Sequence, residues 1–318
     1  MGRASMGGVR DFRFGVHVLA PSGHDEWVST ARRVEDLGFS TLTVADHLVD
    51  GCISPFAALG VAAEATSTLR IGTLVLNNDL RHPAVVARET LALDSLSGGR
   101  VELGLGAGHG FPEYESAGIR FDDGVTRVAR LAEAVEVLDG LLRGNDVSFS
   151  GDHYRLRGHR AWPPATQRPR PPILVGGNGH RLLRMAAARA DIVGLSGTGR
   201  TKADGLTHEA TGFPPEAVDE RIALVRAAST RRDVELHALI QQVIVTDDPT
   251  GAAEGLRQLV PELSAEDILA TPYVWVGTVE SICDKVRAVR ERWGFSYFTL
   301  FDHSLEAAIP VVTKLAGT

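Results

Sequence analysis

Lysine is nearly missing from this chain. Of 33 basic residues among 318, only Lys202, Lys285 and Lys314 are lysines; the rest are arginines. Arginine stays protonated and forms no Schiff base, so aldolase-type or pyridoxal-phosphate chemistry has almost nowhere to live. Cysteine is as scarce. Cys52 and Cys283 can build neither a disulfide framework nor a structural zinc site, and they read as two reduced thiols. Long apolar runs are absent too: nothing approaches the roughly 18–20 residues that span a bilayer. The opening MGRASMGGVR lacks the apolar stretch of a signal peptide, and Met6 stands where a myristoylation motif needs Ser or Thr. A basic excess is missing as well. With 40 acidic residues the net charge is -7, which argues against a dedicated nucleic-acid binder. The expectation is a cytoplasmic protein acting on a small molecule, with no nucleic-acid or membrane partner.

What is present is ordinary globular material, 44% hydrophobic and 23% charged, arranged as short apolar strands alternating with amphipathic helices. Strands are expected at Phe12–Val18, Thr41–Ala45, Leu69–Leu76, Val101–Leu105, Pro172–Val175, Asp191–Leu195, Val234–Val245 and Tyr297–Phe301. Helical spacing follows each of them, including a long helix with Val125, Val128, Leu131, Val135, Leu138 and Leu142 on one stripe. Eight strand–helix units are the count of a (β/α)8 TIM barrel. About 250 residues suffice for that fold. The surplus is assigned to two insertions on the C-terminal face, at about 145–170 (with a hairpin, VSFSGDHYRL) and 196–214. Residues 1–11 read as a flexible start, and 12–318 as one barrel domain.

Barrel enzymes build their sites where strands end on the C-terminal face. Those ends read His17–Val18, Asp46–His47, Asn77–Asn78–Asp79, Gly106–Ala107–Gly108–His109, Gly176–Gly177–Asn178–Gly179–His180, Ser196–Gly197 and Asp302–His303. A metal hydrolase would want a His-x-His pair after strand one and a bridging lysine; strand one offers His17 alone. GLGAGHG (Gly104–Gly110) lacks GxGxxG spacing and reads as a tight turn. VGGNG (Val175–Gly179) follows a strand and opens a helix, so its backbone N–H groups and the helix N-terminus form an anion site, with His180 and Arg181 adding charge.

Four stretches carry a resemblance: LGFSTLTVADH (Leu37–His47), LRIGTLVLNN (Leu69–Asn78), HPAVVARETLALDSLSGGRVELGLGAG (His82–Gly108) and PILVGGNGHRLLRMAAARAD (Pro172–Asp191). The chain resembles the bacterial luciferase-like superfamily of flavin and deazaflavin barrels, most closely the branch that uses coenzyme F420. The resemblance implies that Asp46 lies beside the deazaflavin ring and that His47 is a candidate proton donor near the hydride-bearing carbon. It puts a non-prolyl cis peptide at Leu74–Val75, backing one face of the ring. It sets Asn77 at the ring's polar edge or linker and Ala107 on the pocket floor. It assigns Gly176, Gly177, Asn178, Gly179 and His180 to the cofactor phosphate.

In the sugar-phosphate dehydrogenases of this branch a Glu of the strand-four loop acts with the His; here that position is His109. Pro112 replaces an Asn, and Glu113 and Glu115 lie nearby but out of register. His109 therefore joins His47 as a candidate acid or base, and His17 as a candidate substrate contact. The function expected is an F420-dependent oxidoreductase passing a hydride between the deazaflavin and an organic substrate. The alternatives are an FMN-dependent two-component monooxygenase on the same fold and a barrel that has lost its cofactor. The resemblance also implies a homodimer, with Pro55–Thr66 and Pro83–Leu96 as candidate faces.

Overall fold

The first strand, Arg13–Val18, shows how the barrel is filled. Its side chains alternate between two faces. Phe14, Val16 and Val18 are buried on the helix side, whereas Arg13 reaches across the lumen to Glu102 and Glu235. The computed structural model describes residues 10–21, 23–202, 204–205, 207–230 and 233–318, so most of the expected flexible start lies outside the described residues.

Eight parallel strands close the barrel. In chain order they are Arg13–Val18, Thr41–Val44, Arg70–Thr73 continued by Leu76–Asn77, Val101–Gly106, Ile173–Gly176, Ile192–Leu195, Glu235–Ile240 and Phe295–Phe301. They are called strands one to eight below. Strand one pairs in parallel with both strand two and strand eight, which completes the ring. At the N-terminal end Arg13 bonds Glu102 at 2.6 Å and Glu235 at 2.8 Å, and Arg70 bonds Glu102 at 2.5 Å. The Arg13 guanidinium also lies 3.6 Å from the centre of the Tyr297 ring. This paired layer plugs one end of the lumen and leaves the C-terminal end for a site.

Strand three is broken at Leu74–Val75 by a bulge with the non-prolyl cis peptide that the family resemblance implied. Other features differ from the sequence expectation. Strand seven ends at Ile240, not Val245. Residues Gln242–Val245 leave the barrel and pair in parallel with Val274–Gly277, a strand the sequence pattern did not reveal. VWVG is too short to show a period, and only its packing identifies it: Trp275 is fully buried edge-on against Phe14 and Phe298. Short helices at Phe111–Ser116 and Ala265–Ala270 escaped notice for the same reason.

The two insertions, both expected on the C-terminal face, lie differently: 196–214 is at the mouth, while the hairpin of 145–170 reaches that end from outside, Asn78 Nδ2 donating to the Tyr154 hydroxyl at 3.2 Å. Residues from 196–214 line the cavity described below, and none from 145–170 does. The latter segment joins the end of the helix Gly124–Leu142 to the start of strand five, and helix-to-strand connections leave from the N-terminal end. Gln167 accordingly contacts Arg70 and the Val101 carbonyl, at the beginnings of strands three and four.

Candidate active site

At the C-terminal mouth of the barrel lies a cavity of about 1190 Å³. The residues assigned to the site line it: Asp46, His47, Leu74, Val75, Asn77, Ala107, His109 and the run from Gly176 to His180; the strand-end residues Asn78, Asp79, Gly197, Asp302 and His303 do not. None of the three lysines does. Lys285 instead donates to the Leu269 and Val274 carbonyls at 2.6 Å each, on the outside of the barrel.

Gly104 and Gly106 of GLGAG face strand three and its bulge, a use different from phosphate binding. A Cβ on Gly106 would lie 2.5 Å from Val75 Cγ2, one on Gly176 3.0 Å from Val75 Cγ1, and one on Gly104 1.9 Å from the Thr73 carbonyl oxygen. At Gly104, Gly106 and Gly176 strands four and five therefore present no side chain, which makes room for Leu74–Val75 in the lumen. Thr73 secures the join, its hydroxyl donating to the Gly104 carbonyl (2.8 Å) and accepting from the Gly104 N–H (3.0 Å).

Asp46 is 4% exposed, with one carboxylate oxygen accepting from Arg81 Nη1 at 2.5 Å and from the Asn77 N–H at 3.0 Å. Asn77 is oriented in turn. Its Oδ1 accepts from the Tyr114 hydroxyl (2.8 Å) and the Asp79 N–H (3.1 Å), which leaves Nδ2 as a buried donor with no protein partner.

The carboxylate that meets His47 belongs to Glu113, four residues beyond the loop position considered from sequence. His47 Nδ1 is 3.1 Å and 3.3 Å from the two Glu113 oxygens, and the Leu48 N–H donates to Oε2 at 2.7 Å. The short helix Phe111–Ser116 is what turns Glu113 inward. Its hydrogen bond to Glu113 raises the His47 pKa, against an opposing effect of burial. Burial works to raise the Glu113 pKa, but the bonds from His47 and Leu48 outweigh it and hold it below the usual carboxylate value. With Nδ1 engaged, Nε2 is the His47 atom left to exchange a proton.

His109 stands edge-on to His47, ring centres 5.4 Å apart, and 4.6 Å from the ring of His208 in the 196–214 insertion. Burial, then the nearby His208 and His47, push its pKa down to about 4, so it is neutral at physiological pH. His17 is also neutral, pushed to about 3 mainly by burial.

After strand five, the helix His180–Arg189 begins at Gly179 with no side-chain cap, so its first N–H groups are open to a ligand. Asn178 is engaged within the protein by its side chain. Its amide donates to Ser196 Oγ (2.8 Å) and Thr198 Oγ1 (2.9 Å) and accepts from the N–H groups of Ser196 and Gly197. Its side chain is therefore a brace between the loops after strands five and six, and only its backbone remains for an anion. Among the described residues no group of three or more His, Cys, Asp or Glu side chains is placed to hold a metal ion, and no helix is long and apolar enough to cross a membrane.

Comparison with known proteins now adds a family. The chain matches the luciferase-like monooxygenase family over residues 6–266. An F420-dependent glucose-6-phosphate dehydrogenase of Intrasporangium calvum is 33% identical over 261 residues, covering 77% of this chain and 73% of that protein. The coenzyme F420-dependent tetrahydromethanopterin reductase of Methanopyrus kandleri has the same fold, with a TM-score of 0.75 at 18% identity over 96% of this chain and 99% of that one. A monooxygenase of Streptomyces bottropensis likewise shares the fold, with a TM-score of 0.71 at 22% identity over 95% and 99%. With a family match that takes in most of the barrel, and the bulge and strand-end residues in one cavity, the chain belongs to the luciferase-like monooxygenase family.

Proposed function

We propose that the protein is a coenzyme F420-dependent oxidoreductase. The observation that carries the reading is the Leu74–Val75 bulge, standing against glycine-lined strands four and five with the unpartnered Asn77 Nδ2 beside it. A planar ring with a polar edge fits that arrangement: the bulge backs one face, and Asn77 donates to the edge. The open helix N-terminus at Gly179–His180, with Arg181 and Arg200 lining the same cavity, suits the phosphate of such a cofactor. The curated relative at 33% identity is itself named as F420-dependent.

When bound, F420 supplies the hydride chemistry; the protein supplies orientation, shielding of one face and the proton. His47 is placed to exchange that proton with the substrate, its ring held by Glu113 so that Nε2 is the exchanging atom. Asp46, held by Arg81 and the Asn77 N–H, keeps a buried negative charge beside the ring. His109 forms a neutral wall and not a second acid. A homodimer and a cytoplasmic location belong to the same proposal.

Titration of the purified protein with F420 and with FMN, followed by fluorescence, tests the cofactor. Saturable F420 binding with weaker FMN binding is expected. Tight FMN binding with none of F420 would sink the reading in favour of a two-component monooxygenase, which oxygen uptake would then reveal. Binding of neither cofactor by the folded protein would favour a barrel that has lost its cofactor.

A pH profile tests the proton path. Carbonyl reduction needs His47 protonated, so kcat should fall as pH rises through the His47 pKa. Because the Glu113 carboxylate raises that pKa, Glu113→Gln is expected to move the fall to lower pH. An unmoved profile would place the proton elsewhere.

A further inference from the structure

In a closed barrel of eight strands, strand seven stands diametrically opposite strand three. A ring backed by the Leu74–Val75 bulge therefore turns its other face toward His237, Leu239 and Gln241, with His17 and Phe301 flanking on strands one and eight. None of these side chains is permanently charged. The arginines that line the cavity, Arg127, Arg181 and Arg200, come instead from segments after strands four, five and six.

His237 is the unusual member. It is 1% exposed, and neither ring nitrogen has a hydrogen-bond partner. Its ring sits edge-on to Tyr297, centres 4.5 Å apart. A buried imidazole left unsatisfied on both nitrogens is costly, and such a group points to a ligand that completes it. Burial first, and then the charge of Arg13, push its pKa down to about 3. His237 is thus a neutral ring with one donor and one acceptor.

His17 can be assigned further. Its Nδ1 is 3.0 Å from Thr43 Oγ1, and that hydroxyl donates to the Val16 carbonyl (3.2 Å). With Nδ1 engaged by that hydroxyl, Nε2 is the His17 nitrogen left to a ligand. The wall therefore offers uncharged donors and acceptors, with an aromatic ring beside them and no cation to grip a phosphate.

We propose that the substrate is an uncharged alcohol or the corresponding carbonyl compound, held at an oxygen by His237, and not a phosphorylated sugar. The inference rests on the F420 reading. In oxidation the carbinol C–H bond breaks and its electron pair leaves as a hydride to F420. The hydroxyl proton goes to His47, and the C=O bond forms; reduction reverses both transfers.

The test begins with F420 binding to the wild type, His237→Phe and His237→Gln, measured by fluorescence. F420-loaded protein is then offered 2-propanol, cyclohexanol, benzyl alcohol and glucose, with glucose 6-phosphate alongside, and the loss of absorbance at 420 nm is followed. At least one uncharged alcohol is expected to be oxidised with kcat/KM tenfold or more above that for glucose 6-phosphate. His237→Phe should lower that value at least tenfold, chiefly through KM, with F420 affinity and thermal midpoint preserved. His237→Gln, which keeps a donor and an acceptor, should recover part of the loss. The ring nitrogen signals of His237 should also shift when the preferred alcohol is added to loaded protein.

Glucose 6-phosphate turned over as well as the best alcohol would overturn the proposal. So would an inert panel with F420 bound, or a His237→Phe enzyme of unchanged KM and kcat. Failure of the wild type to bind F420 would instead bring down the cofactor reading and this inference with it.

Discussion

His47→Ala is expected to lower kcat by about 10²- to 10⁴-fold, the usual range for a positioned acid or base, while F420 affinity stays within a few-fold. The size of the effect follows from the geometry. His47 lines the cavity and is hydrogen-bonded to a carboxylate, Nδ1 to Glu113 at 3.1 Å, and its pKa is raised by that bond. His17, His109 and His237 are all driven the other way, to about 3, 4 and 3, so none is available to carry a proton near neutral pH. Removing His47 leaves no neighbour suited to replace it. Steady-state kinetics with F420 binding measured in parallel would check this. A His47→Ala enzyme within threefold of wild type would remove His47 from the proton path.

Gly104→Ala is expected to be the most destabilising single methyl that can be added to the barrel lumen. The new Cβ would lie 1.9 Å from the Thr73 carbonyl oxygen and 3.0 Å from the carbonyl carbon. Those are backbone atoms of strand three, held in place by the bonds between Thr73 and Gly104, so the clash has no cheap relief. Forcing strands three and four apart should cost about 3 kcal/mol or more, at or above the upper end of ordinary overpacking. Denaturant midpoints would measure it. Gly60→Ala is the control, since a Cβ there meets nothing within 4 Å and sits in a helix, where alanine is favoured. A Gly104→Ala protein as stable as the control would mean that strand three can move, and the bulge with it.

The two expectations concern one design. The bulge on strand three takes up room in the lumen, and the inward-facing glycines of strands four and five provide it. Gly104, Gly106 and Gly176 are therefore parts of a cradle around the bulge before they are parts of a ligand site. That also explains why GLGAGHG fails as a dinucleotide fingerprint: its glycines answer to a neighbouring strand and not to a pyrophosphate.

Much of this was legible along the chain. The barrel could be read because each strand is a short apolar run ended by glycine or a polar pair, and each helix shows its own stripe. Asp46, His47, Asn77 and the Gly176–His180 turn could be read because they sit at strand ends, and strand ends in a barrel point to one mouth. Val274–Gly277 was invisible because four residues carry no period. Where residues 145–170 join the barrel was not legible, because length alone does not tell a strand-to-helix connection from a helix-to-strand one.

By itself, then, the sequence determined the architecture, the mouth of the barrel and the cast of side chains around it, since these depend on local periodicity and on where strands stop. Scarcity of lysine already confined the chemistry, and none of the three lysines lines the cavity. Only the tertiary structure decided the partnerships. His47 meets Glu113 across 66 residues of chain. Asn178 is drawn into bracing Ser196 and Thr198, and His237 is left with two bare nitrogens opposite the bulge. Each of these depends on which strands become neighbours or opposites when the sheet closes, and closure is a property of the whole ring that no single segment carries.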